Sequence, residues 1–268
     1  MGLVDSESIL FSTWEIMKGK TYVLSDIHGN FEIFKRMLDK IQFNNQDQLY
    51  ILGDICDRGP CSLDIYFYIQ KFDNITLLKG NHEYMMQEAL KEAIDHNDFD
   101  FPSCEFKLWS QNGGEKTIEN IRQYLRKKKL YHCDYTIVRN IFLRNLYNYL
   151  KNLPLYIELN VNNKDYILVH AGIDPERTLD DQEEDTLLWI RDYFFLSECD
   201  LNKTYIFGHT PLCFINRDQS FNVWYDDEFH NKIGIDGGLA LGGRGQLNCI
   251  CLDDGQVFAL KMSEVNDA

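Results

Sequence analysis

Acids, imidazoles and amides recur in short glycine-bearing segments of this 268-residue chain. Three fall in the first third: Ser25-Asp26-Ile27-His28-Gly29-Asn30, Gly53-Asp54-Ile55-Cys56-Asp57-Arg58-Gly59 and Gly80-Asn81-His82-Glu83. Two more histidines stand in similar settings later, His170 in VHAG and His209 in FGHT. A lone histidine at such a place is more often a satisfied, half-buried residue than a functional one. Five such segments, each with a carboxylate, amide or imidazole, make that reading poor for the set. The donors include no thiolate, which suits hard or borderline divalent ions such as manganese, iron or zinc.

The elements that must position these residues are legible in the same stretches. Thr21–Ser25 is a short β-rich run, followed by Phe31, Phe34, Met37, Leu38 and Ile41 at helical spacing. Leu49–Leu52 predicts a second strand, Ser62–Phe72 a second helix and Ile75–Leu78 a third strand. Strands alternating with helices imply crossovers and a largely parallel sheet, whose carboxyl ends would carry the three segments. Residues 84–153 read as helical and polar, with Gly113–Gly114 as the main break. Their basic run Arg126–Lys129 is read as a solvated helix face. From Leu155 the pattern alternates: one hairpin turns at Asn162–Asn163 and another at Asp253-Asp254-Gly255. Thr204–Phe207 and Lys232–Ile235 are further strands, leading to GHT and DGG.

Composition bounds the possibilities. Hydrophobic residues at 44% and charged residues at 26% describe an ordinary globular chain, long enough for one large core. A formal net charge of -15 repels nucleic-acid phosphates, so no nucleic-acid partner is expected. The first twenty residues do not read as an export signal and no apolar run reaches membrane-spanning length, so no membrane association is expected and the cytoplasm is the default location. The eight cysteines contain no CxxC and are read as reduced. With no repeat or linker, the expectation is one domain over 1–268, carrying a helical insertion at about 84–153.

The ordered set SDIHG, GDICDRG, GNHE, HAG and GHT resembles the phosphoprotein phosphatase branch of the calcineurin-like metallophosphoesterases, in its bacterial serine/threonine phosphatase form. The likeness runs from about Thr21 to Leu260, with Ser25 replacing the glycine of the first motif. It implies an α/β fold: a two-sheet sandwich flanked by helices, with a dinuclear metal site at the carboxyl ends of the strands. It implies that Asp26, His28 and Asp54 bind one ion, and that Asp54 bridges to a second held by Asn81, His170 and His209. Manganese is the first choice, with iron or zinc as alternatives. Arg58 and Arg191 would bind the substrate phosphate together with Asn81. His82 would protonate the leaving oxygen while Asp57 orients its ring. Glu83 is read as supporting its turn, and the glycine-rich loop from Ile235 either lines the site through backbone N–H groups or serves only tight turns.

The implied activity is hydrolysis of phosphate monoesters by a metal-bridging hydroxide, most of all phosphoserine or phosphothreonine in proteins. The Glu of GNHE matches that form. The alternative is a dinucleoside tetraphosphate hydrolase or another small-molecule phosphoesterase. A non-catalytic binding module would tolerate loss of these residues, yet the whole set is present. The segment 84–153 and the loop Asn216–Asn231 are expected to shape the rim that selects substrates.

Overall fold

Period-two alternation decides which face of each strand is buried, and against what. In the computed structural model, which describes residues 19–100, 102–129 and 135–266, the first strand is β1 (Thr21–Leu24). Its Tyr22 and Leu24 join one core cluster while Val23 joins another. A helix α1 (Phe31–Lys40) follows, burying Ile33, Phe34, Met37 and Leu38 along one side. Then come β2 (Gln48–Ile51), α2 (Ser62–Ile69) and β3 (Ile75–Leu77). The three strands pair in parallel, so the loops that follow them leave the sheet at one edge.

Five helical pieces precede the next strand: α3 (Asn81–Asp95), α4 (Cys104–Trp109), a π-helical turn (Ser110–Gly114), α5 (Glu115–Lys129) and α6 (Tyr135–Lys151). The expected Gly113–Gly114 break is a kink within an otherwise helical path, with Gly113 at φ 102°. This segment is less polar than its composition suggests. Trp109, Ile118, Ile121, Leu125, Leu143, Leu146 and Leu150 are buried in the same cluster as the helix-facing side of β1. Arg126, Lys127 and Lys128 of the basic run are exposed.

The second sheet begins with the hairpin β4 (Tyr156–Val161) and β5 (Lys164–Val169). Helices α7 (Glu184–Trp189) and α8 (Asp192–Leu196) lead to β6 (Lys203–Phe207), then β7 (Trp224–Tyr225) and β8 (Lys232–Gly234). The chain then returns to the first sheet as β9 (Gln246–Cys251) and β10 (Val257–Lys261), before a last turn of helix α9 (Met262–Asn266). The sheets run β10-β9-β1-β2-β3 and β4-β5-β6-β8-β7, five strands each. The first is therefore mixed, because β9 lies antiparallel to β1.

Val23, Leu168, Ile206 and Ile250 meet in the layer between the sheets. Ile167, Val169, Tyr205 and Phe207 point the other way, toward α7 and α8. Cys249 and Cys251 share the helix-facing side of β9, as their spacing requires. No helix among the described residues is long and apolar enough to cross a membrane. Residues 1–18 of the N-terminal segment read for an export signal, together with His132 and Cys133, lie outside the described residues.

Candidate active site

Six of the residues singled out in the sequence stand at the carboxyl ends of strands with left-handed backbone: Asp26 (φ 53°), His28 (46°), Asp54 (54°), Asp57 (69°), Arg58 (65°) and His209 (63°). Non-glycine residues adopt this conformation at a cost, and such residues cluster where surroundings over-determine them for function. The surroundings here are other turns. The His28 N–H donates to the Asp54 carbonyl at 2.9 Å and the Gly29 N–H to the Ile55 carbonyl at 2.8 Å. Glu83, fully buried, accepts from the N–H groups of Asp54 (2.7 Å), Ile55 (3.0 Å) and Gly80 (2.9 Å). One carboxylate thus ties the second turn to the third. Gly80 permits the approach, since a Cβ there would lie 2.2 Å from Asp54 Oδ1.

The two sheets meet at this edge. His170 follows β5 and His209 follows β6, and both reach Asn81 Oδ1 at the start of α3, at 3.0 Å from His170 Nε2 and 3.2 Å from His209 Nδ1. Potential ligand atoms of Asp54, His170 and His209 lie within 4.8 Å of one another, as do those of His28, Asp54 and His82. Asp54 is common to both groups. Asp26 sits beside them, hydrogen-bonded to the Ser25 hydroxyl and accepting the His209 N–H at 3.0 Å.

The donor set fits divalent cations. His170 Nδ1 lies 2.6 Å from the Leu52 carbonyl and His28 Nδ1 lies 3.0 Å from the Cys56 carbonyl. Each Nδ1 must therefore carry the proton, which leaves Nε2 with a lone pair directed into the site. His170 Nε2 then faces Asn81 Oδ1, acceptor against acceptor. His209 Nε2 is buried with no partner. Burial, followed by the Asp236 charge, pushes Asp26 well above the usual carboxylate range, and burial followed by the Asp26 charge does the same to Asp54. Burial holds His170 down to about 3 and, with the His82 charge next, His28 well below its ordinary value. Crowded acids that resist ionisation beside imidazoles that resist protonation describe a site short of positive charge. Bound cations would supply it.

On the opposite side of Asp54, His82 Nδ1 donates to Asp57 Oδ2 at 2.7 Å, and its Nε2 lies 3.2 Å from an Arg58 terminal nitrogen. Burial and then the Arg58 charge press the His82 imidazole down to about 3. Burial pushes the Asp57 carboxyl up to about 7, against the pull of the Thr117 and Trp109 donors. Since its side-chain partners all donate, the ionised form of Asp57 is the one these contacts serve.

Arg58 and Arg191 both line the cleft, a cavity of about 220 Å³, along with His28, Asp54, Asn81, His82 and His209. Sequence reading did not single out four residues in the cleft or behind it. Asp236 follows β8 in the same strand–acid–glycine pattern that marked Asp26 and Asp54, and is buried. Trp189 lines the cleft with its ring edge-on to His209 at 5.9 Å. Trp109 and Thr117 reach Asp57 from behind with no local signal of doing so.

Two sheets whose strand ends converge on carboxylate–imidazole groups sharing one aspartate offer a donor set suited to divalent cations. The chain belongs to the calcineurin-like phosphoesterase family, matching it over residues 19–228. It is similar to serine/threonine-protein phosphatase 1 of Salmonella typhimurium, 27% identical over 213 residues that cover 77% of this chain and 84% of that protein. It is also similar to the symmetrical bis(5'-nucleosyl)-tetraphosphatase of Buchnera aphidicola, 38% identical over 85 residues that cover 30% of this chain. The chain spans only 31% of the length of that relative, and 45% of its counterpart from Erwinia tasmaniensis. In fold it resembles a crystal structure provisionally named a diadenosine tetraphosphatase, with a TM-score of 0.59 at 17% identity, covering 92% of this chain and 95% of that one.

Proposed function

We propose that this chain hydrolyses phosphate monoesters, foremost phosphoserine or phosphothreonine in proteins, as one domain working with two divalent cations, manganese by preference. The observation that carries the reading is the placement of His82. Its ring is anchored by Asp57 at Nδ1, and its Nε2 lies beside Arg58 at the cleft. Asp26, His28 and Asp54 would hold one ion, and Asp54, Asn81, His170 and His209 the other. When bound, such ions supply Lewis acidity and lower the pKa of water.

The protein's own residues do the rest. Arg58 and Arg191 grip the phosphate oxygens by paired donation and balance the charge that develops on them. Arg58 now presses the proton off His82; a dianionic ester seated on Arg58 offsets that charge and lets Nε2 hold a proton. His82 then donates it to the departing alkoxide while Asp57 stabilises the imidazolium.

Protein is favoured as the substrate because the similarity to the Salmonella phosphatase extends over most of both chains. A second reading, hydrolysis of dinucleoside tetraphosphates, is favoured by the higher identity to the Buchnera tetraphosphatase over a shorter stretch. The free thiols at the seven described cysteines suit a reducing compartment, and we place the protein in the cytoplasm.

Two measurements test this. Values of kcat/KM for a phosphoserine peptide and for diadenosine tetraphosphate decide the substrate class; preference for the nucleotide sinks the protein reading. His82→Asn is expected to slow the phosphoserine peptide by roughly 10²–10⁴-fold while sparing p-nitrophenyl phosphate, whose leaving group needs no proton. Equal slowing of both substrates, with metal still bound, would remove His82 from the proton-donor role.

A further inference from the structure

Asp57 is held by more than His82. Its Oδ2 also accepts from Trp109 Nε1 at 2.9 Å, and its Oδ1 accepts the Thr117 hydroxyl proton at 2.6 Å. The Asp57 backbone N–H is met by Thr117 Oγ1 at 2.9 Å and Ser62 Oγ at 3.1 Å, and those two hydroxyls lie 2.9 Å apart. Proton accounting orders the chain. Thr117 has one hydroxyl proton and gives it to the carboxylate, so Ser62 must donate to Thr117. Every member is buried: Asp57, Trp109 and Thr117 at 0% exposure and Ser62 at 2%.

The donors come from the end of α4 and the start of α5, on either side of the Gly113 kink. That kink also accepts the Arg58 N–H on the Gly113 carbonyl at 2.9 Å. A Cβ on Gly113 would sit 2.7 Å from Arg58 Cγ. The helical segment thus grips both residues of the left-handed Asp57-Arg58 turn.

We infer that Trp109 and Thr117 are positioning residues, which hold Asp57 ionised and aimed so that His82 keeps Nδ1 bound and turns Nε2 to the cleft. This rests on the reading of His82 as proton donor. The helical segment between β3 and β4 is then part of the chemistry and more than a rim. Without the two donors, the buried carboxylate would lose the partners that offset its desolvation and would rotate or take up a proton itself.

Thr117→Val and Trp109→Phe test this in the full chain loaded with manganese, with metal content measured. Each is expected to lower kcat for a phosphoserine peptide about ten- to a hundredfold, the scale of one unmet buried partner. KM, metal content and turnover of p-nitrophenyl phosphate should stay near the parent's, and Thr117→Ser should restore the lost rate. In a His82→Asn background neither substitution should cost anything more, because its target is gone. Equal losses on both substrates, or full additional losses in that background, would overturn the inference and leave the pair as packing alone. If Thr117→Val does not fold, Trp109→Phe carries the same comparison. Should His82→Asn alone slow both substrates equally, the proton-donor reading falls first, an outcome distinct from failure of the two supports.

Discussion

Arg58 and Arg191 reach the cleft by different routes. Both are exposed, but Arg58 rides in a turn fixed by the Gly113 carbonyl, whereas Arg191 stands at the N-cap of α8. Arg177, another cation of this half, is already paired with Asp174 and Glu183. Arg191 instead lines the cleft. Arg191→Ala should lower kcat/KM by on the order of 10²–10³, the loss expected for one preorganised donor to a transition state. Metal content, measured by elemental analysis, should not change. Parent-like kinetics would move the second phosphate contact elsewhere.

At the scale of elements, the site depends on turns that brace one another, and Glu83 is the brace with the most partners. Glu83→Ala would leave the N–H groups of Asp54, Ile55 and Gly80 without their acceptor in a dry interior. At about 1–3 kcal/mol for each unmet buried donor, the substitution should cost roughly 3 kcal/mol or more in urea unfolding. Asp54 would lose its orientation as well, so metal retention should fall with stability. Glu83→Gln keeps an acceptor oxygen and should fall between parent and alanine. A Glu83→Ala protein with the parent's unfolding midpoint and metal content would show that the turns hold without it. Gly80 makes the same point from the steric side, because no other residue leaves room for Asp54 against α3.

For the molecule as a whole, the cluster is a cost that bound cations would relieve. Asp26, Asp54 and Asp236 are buried together, in a chain of net charge -15. Manganese at about a hundred times its Kd would add about 2.7 kcal/mol to stability, enough for a rise of about 5 °C or more in Tm. Asp54→Asn should abolish that rise and, with metal stripped by a chelator, melt above the parent, because one of the crowded charges is gone. The amide oxygen can still accept the His82 N–H that Asp54 Oδ1 receives at 3.1 Å. Chelation of the parent should stop turnover, with manganese restoring it better than magnesium, which prefers oxygen-rich octahedral sites. A Tm that ignores manganese in the parent, or one that still responds in Asp54→Asn, would contradict the account.

The sequence by itself determined the principal strands and helices and several of the residues that line the cleft, His28, Asp54, Arg58, Asn81, His82, Arg191 and His209 among them. Alternation at Tyr22, Val23 and Leu24 set the two faces of β1, and acids placed just past strand ends could only lie at one edge of a parallel sheet. Local chemistry suffices there, because a strand's period and a turn's glycine are written in neighbouring residues. What tertiary structure alone decided lies across long separations. Nothing near Trp109 or Thr117 points to Asp57, which precedes them by more than fifty residues. Their indole and hydroxyl become partners of that carboxylate only when the Gly113 kink brings the end of α4 and the start of α5 against the Asp57-Arg58 turn. Tertiary structure likewise placed β9 antiparallel to β1, making mixed a sheet whose first three strands read as parallel. In each case the deciding quantity is the burial of one polar or apolar face against a distant element, which no window of adjacent residues contains.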